Sequence, residues 1–213
     1  MAASLKDSIL RGDIPAGTPL RQDAIAERYG VSHIPVREAL RHLAAEGLVT
    51  IRPNQGAIVR VLAPENAREL LEIRALLEIQ AIRWALPNAD AEVLAAAEAA
   101  LAESERTDDV TRWMQLNWAF HFTLYERAGR PRIFAMIQSL DMQIDRFIRV
   151  LISASDYRMQ AQEEHRAILA AYRVRNEAAV VSLMQQHLDD TARSLVRLLE
   201  HYRPDGGETA AQG

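Results

Sequence analysis

Asn117 and His121 stand four residues apart in the stretch NWAFH, a spacing that puts both on one face of a helix. His165 in EEHRAIL and His187 in MQQHLDD lie in two later stretches of helical texture, each beside apolar side chains. One buried histidine is ordinarily a satisfied core residue. Three from separate helices, one with an amide a turn earlier, could instead converge on a metal ion inside a bundle. Imidazole is the commonest side-chain ligand for zinc, nickel and copper. Both readings stand on the residues alone. A metal-dependent enzyme has less to support it, because the chain has no HExxH pair and no Gly-rich phosphate loop.

A second kind of chemistry is offered by VSHIPVREALRHLAAEGLV, residues 31–49. Ser32 can cap a helix, Pro35 is tolerated in its first turn, and Val36, Leu40 and Leu43 form one apolar face. The helix N-terminus and the Ser32 hydroxyl suit phosphate oxygens. Arg37 and Arg41 lie on the other face, where they either meet an anionic partner or merely solvate the helix. His42 reads as a surface or packing residue. Two β-branched segments follow, 48–51 and 57–61, around a Pro-Asn-Gln-Gly turn, which is a hairpin signal. Its tip carries Arg52 and Gln55, and Gly56 permits close backbone approach.

These groups need elements to hold them. In front of the recognition-like helix, SLKDSILRG reads as a short helix with Ser4 as a candidate N-cap, DIPAGTPL as a turn-rich connector, and RQDAIAERYG as a helix stopped by Gly30. Helix, helix, tight turn, helix and hairpin is the order of a winged helix-turn-helix, which lays its recognition helix in the major groove of DNA. From Pro64 the texture changes to amphipathic helices over about 65–86, 89–106, 109–127, 131–152, 157–174 and 176–200. The expected fold is therefore mainly α: a winged helix-turn-helix over 1–62, an all-α antiparallel bundle of about six helices over 63–202, and a disordered tail over 203–213.

Composition narrows the classes further. The 213 residues carry a net charge of −4, but residues 1–62 hold eight basic against six acidic side chains, so the acidic excess belongs to the body. The chain has no cysteine, which removes disulfides, thiolate metal sites and cysteine nucleophiles. No apolar run approaches the roughly 18–20 residues of a membrane span, and the first residues lack a signal-peptide apolar region. A cytoplasmic protein is expected.

GVSHIPVREALRHLAAEGLV and the following TIRPNQGAIV closely resemble the recognition segment of the GntR family of bacterial transcription regulators. The upstream ILRGDIPAGTPLRQDAIAERYGVS also fits that family's pattern. The resemblance implies contact with double-stranded operator DNA by Ser32, His33, Pro35 and Arg37, with Gly56 at the wing. Arg21, Arg41, Arg52 and Gln55 complete the face assigned to DNA, while Val36, Ala39, Leu40 and Leu43 hold the helix to its domain. One position departs from the pattern: the family usually has arginine where this chain has His33. Arginine can grip a guanine bidentately, whereas a neutral histidine offers one donor, so a different operator preference is expected at that base.

The body resembles the FCD effector domain of the FadR-type subfamily, through LLEIRALLEIQAIRWA, NWAFHFTLYERAGRP, EEHRAILAAYRVRN and LMQQHL. By that resemblance His121, His165 and His187 bind a divalent metal, zinc or nickel, and the usual aspartate is Asn117 here. An amide and three imidazoles put no charge directly on the ion, which would favour an anionic, carboxylate effector. Arg74 matches a family arginine directed at the cavity and could clamp such a carboxylate; its competing role is an ion pair with Glu78. Arg146 and Arg149 are further effector candidates. Trp113, Trp118 and Phe120 read as core or pocket wall, and Glu163 and Glu164 as a solvated face. The implied protein is a homodimeric, ligand-responsive repressor of a palindromic operator. A metal-sensing regulator is the alternative, and a metal-dependent enzyme a more distant one.

Overall fold

The computed structural model of the protein describes residues 1–53, 56–154 and 157–201, with only the backbone at Arg146 and Ala154. Gln55, the Arg146 side chain and the expected tail 203–213 lie outside the described residues. The described residues divide into two compact units, Met1–Ala63 with Arg197–His201, and Pro64–Val196.

The first unit is a winged helix-turn-helix. Helix α1 (Ala2–Leu10), strand β1 (Pro19–Leu20), α2 (Gln22–Tyr29), α3 (His33–Ala45), β2 (Val49–Arg52) and β3 (Gly56–Val59) follow in that order. Gly30 ends α2 in the left-handed region at φ 64, and Ser32 stands at the N-cap of α3. Pro35 falls in the first turn of α3, where its missing N–H has no helical partner to lose. Val36, Ala39, Leu40 and Leu43 are all buried, so the apolar stripe of α3 is spent on the domain's own core with Leu5, Ile9, Ile25 and Leu48. The first helix begins two residues before Ser4, which lies inside it and shares a hydrogen bond of 3.1 Å with the Tyr29 hydroxyl.

The hairpin forms in the register Val49↔Val59 to Arg52↔Gly56. The connector adds a strand that its sequence does not announce. Pro19–Leu20 pair antiparallel with β3, giving the order β1-β3-β2. Two residues are too few to display alternation, so only the partner strand reveals them. Gly56 makes this third strand possible. Its φ is +89, and a Cβ there would collide with the Leu20 carbonyl. Gly56→Ala should therefore cost more than about 1 kcal/mol of stability in this unit, read as a lower urea midpoint. An unchanged midpoint would mean that β1 and β3 do not close as described.

The second unit is a bundle of α4 (Pro64–Ala85), α5 (Ala91–Ser104), α6 (Val110–Tyr125), α7 (Pro131–Ala154), α8 (Tyr157–Arg173) and, as far as Val196, α9 (Glu177–His201). Helix α5 starts two residues later than its periodicity suggests. Leu86–Asn88 form a 3-10 turn around Pro87, and the Asp90 side chain then accepts a hydrogen bond from the Val93 N–H. Asp109 caps α6 in the same way, from Thr111. Helix α5 packs on α6 and α8, and α4 on α6 and α7. Trp113 and Phe120 are fully buried, as the sequence suggests, and the buried Tyr172 donates to the Leu124 carbonyl at 2.8 Å. Trp118 is half-buried against this core. Among the described residues no helix is long and apolar enough to cross a membrane.

Candidate functional site

The exposed side of α3 and the base of the wing enclose a cleft of about 950 Å³ lined by Arg21, His33, Arg37, Arg41, Arg52 and Gly56. Five of the residues assigned to DNA by sequence thus share one surface with the hairpin glycine. Ser32 and Pro35 are exposed beside it, and the Ser32 side chain makes no capping hydrogen bond, which leaves its hydroxyl at the helix N-terminus. Arg41 pairs with Glu38 at 3.1 Å, whereas no acid pairs with Arg37 among the described residues. His33 Nδ1 lies 3.6 Å from Asp23 Oδ1, a neighbour that sequence spacing did not suggest. Ile34, 64% exposed in the first turn of α3, is a second residue the sequence reading passed over. Gly56 is buried, and the close approach it permits is that of Leu20. His42 is a surface residue, 3.5 Å from Glu46.

Inside the bundle, α6, α8 and α9 bring His121, His165 and His187 together. One nitrogen from each lies within 4.8 Å of the others, and all three side chains are buried. The two nitrogens of His121 and Nε2 of His165 have no hydrogen-bond partner. A buried polar atom left unmet costs about 1–3 kcal/mol, so a convergent set of them suits a ligand that accepts lone pairs. Burial pushes the His121 and His165 imidazoles well below their ordinary range, and the neighbouring histidines push the same way. Both rings are therefore neutral near pH 7, the form that coordinates a metal. The donor set fits a divalent cation. Asn117 is half-buried one turn ahead of His121.

Two carboxylates reach this cluster. Glu164 Oε2 is 2.6 Å from His187 Nδ1, and its side chain is 19% exposed. That corrects the expectation of a solvated face for Glu164; Glu163 alone is exposed. A glutamate next to a buried position can bend its long side chain toward a neighbouring helix, and here α9 supplies the target. Glu78, fully buried on α4, has Oε2 3.7 Å from His121 Nδ1, and that oxygen too is unpartnered. The negative charge that Asn117 lacks thus lies beside the imidazoles.

Arg74 is 5% exposed and bound by Glu78 and by Asp141, the latter at 2.8 Å. The ion pair weighed for it in sequence is formed, with a second acid added. Burial opposes the Arg74 charge, but the two acids outweigh it and keep the group protonated. Burial pushes the Asp141 carboxyl up to about 6 against the pull of Arg74. Arg149 is held by Asp145 at 2.7 Å and donates to the Thr111 hydroxyl at 3.1 Å.

Residues 69–190 match the FCD domain, and residues 1–59 match the domain described as bacterial regulatory proteins, gntR family. The chain belongs to the GntR family of transcription regulators. This GntR regulator is 30% identical over 177 residues to the Nta operon transcriptional regulator of Aminobacter aminovorans, covering 81% of this chain and 84% of that one. It is 27% identical over 198 residues to the HTH-type transcriptional repressor GlaR of Escherichia coli (strain K12), covering 86% and 89%. A solved GntR family transcriptional regulator from Pseudomonas syringae pv. tomato is 31% identical with a TM-score of 0.58, over 93% of this chain and 84% of that one. Family membership makes the protein a DNA-binding transcription regulator rather than an enzyme, which sets aside the metal-dependent enzyme.

Proposed function

We propose that this GntR regulator is a cytoplasmic repressor that binds a palindromic operator as a homodimer. A small carboxylate, bound beside a divalent metal in the helical unit, weakens its hold on DNA. The observation that carries the reading is the convergence of three buried histidines whose nitrogens lack partners. His121, His165 and His187 would hold zinc or nickel, both of which suit imidazole, with Asn117 a turn away. A bound divalent ion would supply a Lewis-acidic docking point for an anionic oxygen. Arg74, Arg146 and Arg149 are the effector candidates, and Arg74 would have to exchange one of its acids for the ligand.

On the DNA side, Ser32, His33, Pro35 and Arg37 would enter the major groove, with Arg21, Arg41, Arg52, Gln55 and Gly56 toward the backbone and wing. Two copies reading two half-sites follow from two-fold symmetry. Ile73 and Leu76, exposed on α4 beside a cleft of about 600 Å³ bordered by α9, support a second copy as the partner of that face. GlaR, to which the chain is similar, is itself a transcriptional repressor. The effector can weaken operator binding only as far as it prefers the released conformation.

A metal-sensing role is the second reading, favoured by the engagement of Arg74 and Arg149 with acids of the chain itself. Operator binding measured with chelator, with zinc or nickel, and with metal plus a panel of small carboxylic acids separates the two. Release that requires both metal and one acid supports the proposal; release by metal alone supports the sensor. Operator selection adds a test of the head. His33→Arg should shift the preference toward guanine at one position in each half-site, by about 1–3 kcal/mol. Identical preferences for both proteins at every position would remove His33 from base reading.

A further inference from the structure

Glu164 Oε2 lies 2.6 Å from His187 Nδ1 across the α8–α9 boundary, and its other oxygen accepts from the Gln160 amide at 2.7 Å. Both carboxylate oxygens are therefore assigned. A carboxylate can only accept here, so the proton between the pair belongs to Nδ1 of the imidazole, and Nε2 carries the lone pair. His121 has no such partner on either nitrogen, and His165 has none on Nε2. Among the three clustered histidines, His187 is the one whose tautomer is set by a hydrogen-bonded carboxylate.

Resting on the metal centre proposed above, the geometry points to Glu164 as a positioning residue that presets His187 for a divalent cation. It holds the Nδ1 proton, fixes the ring orientation, and leaves Nε2 as the donor nitrogen. Carboxylates placed in this way behind metal-binding histidines raise ligand basicity, and their loss typically costs 10–100-fold in metal affinity. Glu164 also places a carboxylate against the imidazole cluster, in a chain whose position 117 carries an amide in place of an acid. Glu78 stands in a different relation to His121. Its 3.7 Å separation exceeds a hydrogen bond, and its Oε1 is taken by Arg74.

The test has one arm without metal and one with it. In the metal-free full-length protein, nitrogen-15 NMR of the histidine rings should show His187 as the single Nδ1–H tautomer. Glu164→Gln should produce a mixture, because the Gln amide can either accept or donate. Zinc competition against a chelating indicator should then give a 10–100-fold weaker affinity for Glu164→Gln than for wild type, while the metal-free melting temperature stays the same. A merely structural role would move the melting temperature and leave the tautomer alone. The wild-type spectrum needs no variant, so a folding failure of Glu164→Gln leaves that arm intact. An Nε2–H tautomer in wild type, or equal zinc affinity in the two proteins, overturns the positioning role. If wild type takes up no zinc, the metal centre itself falls, and this role with it. The tautomer reading keeps that failure distinct from a misassigned Glu164.

Discussion

Zinc at about a hundred times its dissociation constant is expected to raise the melting temperature of the helical unit by about 5–11 °C, and His121→Ala is expected to abolish that rise. A ligand bound only by the native state at that excess stabilises it by about 2.7 kcal/mol. Each kcal/mol moves the midpoint of a protein of about 150–250 residues by roughly 2–4 °C, and this chain has 213. The reason to expect binding is local. His121 is 0% exposed, has no partner on either nitrogen and is kept neutral by burial. Those nitrogens lose water on folding and gain nothing from the chain in return. His121→Ala also opens a cavity, so its absolute stability is ambiguous. The informative quantity is the difference between melting with zinc and with chelator, in each protein. A zinc-dependent rise that persists undiminished in His121→Ala would place the ion elsewhere.

Arg74→Met should be the most damaging single replacement in the bundle, costing about 3–5 kcal/mol, because it leaves two acids without the cation they share. Glu78 is fully buried, and Asp141 stands at 2.8 Å from the guanidinium that would be lost. The damage should depend on pH. Burial already raises Asp141 from 3.8 to about 6 in the presence of Arg74. A group that binds its proton more tightly when folded contributes stability that is full below its unfolded value and lost as pH rises through its folded one. Wild type should therefore gain stability from this group between about pH 6 and pH 4. Without the arginine Asp141 holds its proton more tightly still, so the variant should recover more on acidification, and from a higher starting pH. Urea denaturation of both proteins across that range measures the difference. Parallel pH profiles would argue that Arg74 and Asp141 are not electrostatically joined.

Much of this architecture is legible in the residues. The body's helices repeat their apolar positions over many turns, and Pro87, Gly129-Arg130-Pro131 and Asn176 mark where they stop. The His121, His165 and His187 cluster is legible too, since burying three amphipathic helices against each other brings their histidines inward. Strand β1 is not legible, because two residues carry no period and their pairing depends on a glycine 36 positions downstream. The acids around the cluster are hidden for a different reason. Helical spacing places Glu164 about 100° around the helix from a buried neighbour, and periodicity says nothing of a side chain long enough to turn back. Asp141 likewise becomes a partner of Arg74 only when α4 meets α7, and Glu78 a neighbour of His121 only when α4 meets α6, which no local pattern encodes.

The recognition helix divides its duties cleanly by face. Val36, Ala39, Leu40 and Leu43 are buried in the domain, while His33, Ile34, Arg37 and Arg41 are exposed. Substitutions at exposed positions ordinarily change stability by no more than about 0.5 kcal/mol. The head is thus arranged as an interchangeable cassette. On the proposed reading of the head, its outward residues could be rewritten for a new operator while the packing that orients them stays put. Retargeting this regulator, by selection or by a designer, would then draw on four positions that the fold itself does not need.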